Sequence, residues 1–178
     1  VLLLLLFTQV KAQYTKDDTL RGEYNSNRNW WDLQHYDLNI KVNQKEQTIS
    51  GYNIITYKVL GKSDILQIDL QSPLEILGIE QDGQALKYNK VGNNAYLVNI
   101  AKETPLNTIA KLKINYQGIP RVAVHAPWDG GLSWAKDKAG DLFLATSCQG
   151  LGSSVWWPCK DHMADEPDSM RITVTVPD

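Results

Sequence analysis

Polar and apolar residues alternate with a period of two along much of this chain. Between residues 34 and 42, Tyr36, Leu38, Ile40 and Val42 share one face, and Asp37, Asn39 and Lys41 share the other. That pattern predicts a half-buried strand. Residues 43–47 read as a turn. Residues 48–59 then supply β-branched and aromatic side chains suited to a second strand, with Gly51 as a candidate bulge. Shorter strands are predicted at 65–70, 76–81, 84–88, 95–100 and 111–116. Turn signals separate them at Ser72-Pro73, Asp82-Gly83, Gly92-Asn93-Asn94 and Thr104-Pro105. Residues 118–138 lose the alternation and are expected as an irregular loop anchored by Trp128 and Trp134. It returns at 141–146 and at 171–176. No window shows helical periodicity. Short strands with turn signals between them predict an all-β fold, a twisted antiparallel β-sandwich.

The chain's first residues follow another pattern. The run from Val1 to Phe7 carries five consecutive leucines, which are poor strand formers. It is too short to span a bilayer, which takes about 20 apolar residues. With Val10 and Ala12 placed for cleavage after Ala12, residues 1–12 are expected as a signal-peptide remnant, and the protein as exported to the periplasm or beyond the cell. Residues 13–28 are polar and aperiodic, expected as an extended leader. Residues 29–178 are expected as one domain, its last strand at a domain boundary. A net charge of −2 leaves no electrostatic footprint for nucleic acid or anionic lipid.

Candidate chemistry gathers in residues 141–168, which hold both cysteines, Trp156, Trp157, His162 and a dense set of carboxylates. Gly150 and Gly152 follow a strand and permit a sharp turn or a close approach to a ligand. Such a polar loop is a candidate site and equally a structural turn. Export permits a disulfide, and Cys148 and Cys159 would close a loop of about 12 residues; that bond and two free thiols stay equally open. Asp161, His162, Asp165 and Glu166 offer oxygens that calcium would accept, although an acidic loop is more often solvated or paired with Lys and Arg. Cys148 has no histidine close in sequence to activate it. Asp129, Asp161 and Asp165 make only the carboxylate pairs that any acidic sequence offers. His35, His125 and His162 are too widely spaced for the H-E-x-x-H zinc helix.

Three segments then take on a joint meaning: Ser147-Cys148-Gln149-Gly150, Trp157-Pro158-Cys159-Lys160-Asp161 and Asp165-Glu166-Pro167. Running into Arg171-Ile172-Thr173-Val174-Thr175-Val176-Pro177, they resemble the aminopeptidase N-like zinc aminopeptidases, the gluzincin family that includes leukotriene A4 hydrolase. Asp18-Thr19-Leu20-Arg21-Gly22 and Trp31-Asp32-Leu33-Gln34-His35-Tyr36-Asp37-Leu38 resemble the start of the same N-terminal domain in secreted bacterial members. The resemblance implies a saddle-shaped β domain of an enzyme that removes N-terminal residues from peptides. The family's G-A-M-E-N and H-E-x-x-H stretches, and with them the zinc, belong to a catalytic domain that this chain lacks. It therefore implies no catalytic residue and no cofactor in this chain, which alone would be inactive.

The partners implied are a peptide N-terminus and the catalytic domain, with no nucleic acid and no membrane span. Gln149 matches the family position that reaches the active site and helps bind the substrate α-amino group, and Gly150 would keep the backbone thin beside it. An amide oxygen suits an ammonium donor. One departure is that Asp161 and Asp165-Glu166-Pro167 are separated by His162-Met163-Ala164, where many relatives have one compact run. These acids are expected to brace the loop or a domain contact. A second reading comes from another class. It is a stand-alone exported β module that binds glycan or protein through Trp128, Trp134, Trp156 and Trp157. Exposed indoles would favour that module, and buried ones the enzyme domain.

Overall fold

The computed structural model describes residues 14–100 and 104–176; the signal remnant expected at 1–12 lies outside the described residues. Eleven strands are described, in three sheets. The first strands are β1 (Trp31–Asn43), β2 (Thr48–Val59), β3 (Ile65–Asp69), β4 (Glu75–Gln81), β5 (Gln84–Ala85) and β6 (Tyr88–Val91). They are followed by β7 (Ala95–Asn99), β8 (Ile109–Gly118), β9 (Gly131–Lys136), β10 (Leu142–Ser147) and β11 (Ser169–Thr175). A six-stranded sheet has the order β11-β1-β2-β8-β4-β5, a three-stranded sheet the order β3-β7-β6, and β9 pairs with β10 alone.

Alternation builds the core as expected. Leu38, Ile40 and Val42 of β1, Ile55, Tyr57 and Val59 of β2, and Leu112, Ile114 and Tyr116 of β8 are buried. Leu66 and Ile68 of β3 and Tyr96 and Val98 of β7 join them in one cluster, so the six- and three-stranded sheets share a core. The bulge lies not at Gly51 but in β1, where pairing with β2 shifts register between Leu33 and His35. The extra residue resets the pleat, so that Leu33 and Tyr36 are both buried although they are three apart. Gly51 pairs continuously with Ile40 and Tyr116. Its missing side chain has another cause: a Cβ there would sit 1.9 Å from the Asn39 carbonyl oxygen.

Four further expectations need correction. The large sheet is mixed rather than antiparallel, because β11 runs parallel to β1 from His35↔Ser169 to Lys41↔Thr175. The connection from β10 is long enough to return the chain in either direction, which a tight hairpin cannot do. The leader contains a helix, α1 (Lys16–Gly22), that buries no side chain and so leaves no periodicity to read. Its sequence signal is the capping box of Thr15 and Asp18. The expected loop at 118–138 contains β9, which pairs with β10. The Asp82-Gly83 hairpin forms with φ of 52° and 75°, the left-handed pair that such a turn requires. Its second arm is only Gln84 and Ala85, however, and Tyr88 pairs in the smaller sheet.

Candidate functional site

The site begins where β10 stops. Ser147 is its last paired residue, and Cys148, Gln149 and Gly150 turn the chain back toward the core. The Cys148 carbonyl accepts hydrogen bonds from the Gly152 and Leu151 amides at 2.9 and 3.3 Å. Gly150 and Gly152 have φ of 73° and 77°, a region that costs other residues dearly. A Cβ on Gly152 would lie 2.1 Å from an Asp161 carboxylate oxygen, whereas one on Gly150 would meet nothing within 4 Å. Two long-range bonds hold the turn. Arg21 Nη2 donates to the Gly150 carbonyl at 2.8 Å, and Gln71 Nε2 to the Leu151 carbonyl at 2.6 Å. Gln149 is exposed at the apex, and no described residue hydrogen-bonds its side chain.

An open cavity of about 790 Å³ lies beside the turn, lined among others by Arg21, Cys148, Gly150, Trp157, His162 and Glu166. Gln149 stands between two of its lining residues. Behind the cavity, a 3-10 turn (Ser153–Val155) leads into Trp156 and Trp157, whose rings lie 4.6 Å apart. Cys159 then bridges to β3 through reciprocal bonds with the Asp69 backbone, at 2.8 and 3.0 Å. Both cysteines are free. Burial pushes both thiols up, Cys159 the further, so neither is a thiolate nucleophile at neutral pH.

Two buried ion pairs fix the loop that follows. Arg28 is fully enclosed, and its guanidinium meets Asp69 at 2.7 Å, the Asp161 carbonyl at 3.1 Å and the Leu20 carbonyl at 3.1 Å. Asp69 also accepts from Gln67 Nε2 and the Asp161 amide, each at 3.0 Å. Burial pushes the Asp69 carboxyl up to about 6, while Arg28 and these donors oppose the rise. The second pair joins Lys160 to Asp165. Lys160 Nζ also donates to the Trp31 carbonyl at 2.6 Å and lies 4.0 Å from the Trp31 ring centroid. Asp165 in turn accepts from the Leu33 amide at 3.2 Å, and burial lowers the Lys160 pKa.

The acids of this loop therefore brace it. Asp161 accepts from the Ser154 hydroxyl, and His162 engages the Gly22 carbonyl at 3.2 Å and the Ala164 amide at 3.1 Å. Asp161, His162 and Asp165, three members of the candidate calcium set, are thus engaged by protein partners. Among the described residues no three His, Cys, Asp or Glu side chains are grouped to hold a metal. The described residues therefore offer no arrangement that fits zinc. Asp129 is likewise occupied, accepting from the Val124 and His125 amides at 2.6 and 2.8 Å.

The four tryptophans do not form one surface. Trp128 is 75% exposed, but Trp157 is buried, and Trp134 and Trp156 pack against the core, which weighs against the indole-lined binding module. Arg28, Asp69 and Lys160 were missed from sequence as parts of this structure. The signal for Asp69 was present: a carboxylate and Gln67 stand inside the otherwise apolar strand at 65–70. Arg28 had none, being one cation in a polar leader.

Among the described residues, no helix is long and apolar enough to cross a membrane, a statement that does not extend to membrane β-barrels. No family model matches the chain, and no curated protein does. Solved structures do. Native yeast leukotriene A4 hydrolase superposes with a TM-score of 0.68 at 20% identity, over 85% of this chain and 24% of that one. The same yeast enzyme in complex with bestatin gives a TM-score of 0.68 at 19% identity, over 93% of this chain and 27% of that one. An M1 zinc metallopeptidase from Deinococcus radiodurans gives 0.63 at 23% identity, over 84% and 33%. The chain thus spans about a quarter to a third of the length of these structures. Its fold is that of the N-terminal β domain of the M1 zinc peptidases.

Proposed function

We propose that this chain is the N-terminal domain of a zinc-dependent metallo-aminopeptidase, and that it recognises the free α-amino group of the peptide substrate through Gln149. The carrying observation is the state of Gln149: exposed, its side chain hydrogen-bonded by no described residue, on a turn whose neighbouring residues Cys148 and Gly150 line the cavity. A carboxamide oxygen held there can accept from an ammonium, a charge-assisted bond that a blocked N-terminus cannot make. Zinc, its activated water and a glutamate base would come from the catalytic domain. The gene beyond the codon for Asp178 should accordingly encode G-A-M-E-N and then H-E-x-x-H in frame. We also propose export of the parent, from the leucine run at residues 2–6; fractionation of cells expressing the complete gene tests it.

In the complete enzyme, Gln149→Ala should raise KM for an aminoacyl p-nitroanilide about tenfold, which is the worth of one hydrogen bond to a charged group. Gln149→Glu, which keeps an acceptor, should retain or improve binding. An unchanged KM in Gln149→Ala, with the fold intact, would remove Gln149 from amino-group recognition.

A further inference from the structure

α1 buries no side chain fully, its Leu20 being half-buried, and hydrogen bonds tie it to the rest of the fold. At one end the Asp17 carboxylate accepts from the Asn93 amide at 2.9 Å and from Asn93 Nδ2 at 2.5 Å. Near the other end the Leu20 carbonyl accepts from Arg28 and from Gln67 Nε2, at 3.1 and 2.9 Å. The Gly22 carbonyl faces His162 Nε2 at 3.2 Å. These contacts bring the helix across the mouth of the β10 turn, and one side chain reaches over. It is Arg21, bonded at 2.8 Å to the carbonyl of the residue that follows Gln149.

The turn needs that support. Gly150 has a φ of 73° and empty space where a Cβ would stand, so side-chain packing does not fix its backbone at this point. The bonds to the Cys148 carbonyl close the turn from within, and the Arg21 bond ties it to α1 from outside. An exposed side chain with no partner of its own takes its direction from the backbone that carries it. We propose that Arg21 is a positioning residue for Gln149: by holding the carbonyl of the next residue it anchors the exposed turn from which the Gln149 side chain projects. The inference rests on the reading of Gln149 as the amino-group ligand. A guanidinium suits the task, since its planar fork is always charged and loses less freedom per bond than an ammonium. Misplacing a binding group by about 1 Å from a distance can cost substantial activity.

The test is a double-mutant cycle in the complete enzyme, read as KM and kcat for an aminoacyl p-nitroanilide, with thermal unfolding of each variant as the control for folding. Arg21→Ala should raise KM about fivefold with little change in kcat, and Arg21→Lys should restore part of the loss. In a Gln149→Ala background, Arg21→Ala should raise KM no further, because its effect passes through Gln149. Three results would overturn the proposal. One is an unchanged KM in Arg21→Ala while Gln149→Ala raises it. Another is the same KM rise from Arg21→Ala in both backgrounds, which would make Arg21 an independent contact or a purely structural one. The third is no effect of Gln149→Ala itself, which removes the reading beneath the inference and is identified by that single variant.

Discussion

Replacing Arg28 by methionine is expected to lower the stability of this chain by about 3–5 kcal/mol, the range for breaking one side of a buried ion pair. The guanidinium is inaccessible to solvent, and the Asp69 side chain is 7% exposed. Without its partner, Asp69 keeps only two neutral N–H donors, from Gln67 and the Asp161 amide. The carboxylate would then stay desolvated or take up a proton, and burial already favours the proton. Two more acceptors, the Leu20 and Asp161 carbonyls, lose a donor in the same substitution. The exposed pair Lys113–Glu80, 3.1 Å apart with both side chains 38% exposed, is the internal comparison; Lys113→Ala should cost less than about 1 kcal/mol. Urea unfolding followed by tryptophan fluorescence measures both. Removing both charges with Arg28→Met and Asp69→Leu should recover part of the loss. A penalty below about 1 kcal/mol for Arg28→Met would mean that water reaches Asp69.

That network also marks the boundary of what the sequence could tell. Alternation exposed the strands with a clean inward face, as in β1, β2 and β8, because a period of two is a direct record of which side is buried. It could not expose α1, a helix without a buried face, nor the direction of β11, since a strand's pattern reads alike in both directions. Gln149 was legible as a candidate through the motif around it; the structure adds that it is exposed and that no described residue hydrogen-bonds its side chain. The framework behind it was not legible. Arg28 and Asp69 are separated by 41 residues and Arg21 and Gly150 by 129, and a polar side chain carries no periodic sign of a distant partner. Gly51 shows the same gap in a milder form. A glycine in a strand fits either a bulge or a close backbone approach, and only the position of Asn39 decides between them.

Lys160→Met should cost this chain about 3 kcal/mol, and the loss should be local as well as global. Methionine can fill most of the lysine volume, so the change tests charge more than packing. The Lys160 side chain is fully buried beneath the Trp31 ring, with Nζ bound to the Trp31 carbonyl and to Asp165. Its loss leaves Asp165, 7% exposed, with the Leu33 amide as its remaining bond in the described structure. Asp165 stands on a loop, however, and can swing toward water, which places the expected cost at the lower end for a broken buried pair. That escape has its own signature. Leu33 lies at the β1 bulge, where its amide bonds the Asp165 carboxylate, so Asp165 leaving would free the Leu33 N–H. Hydrogen exchange at Leu33 should then accelerate at least about tenfold, beyond what the global loss imposes on strands such as β8. Adding Asp165→Asn, which keeps an acceptor for Leu33 and removes the stranded charge, should return more than half of the stability and the protection of that amide. If the two substitutions instead add independently and Leu33 exchanges no faster than β8, the pair does not tie the loop to β1. The cavity wall that Lys160 and Asp165 share would then be held by the Arg28–Asp69 pair and the bonds of Asp161 and His162.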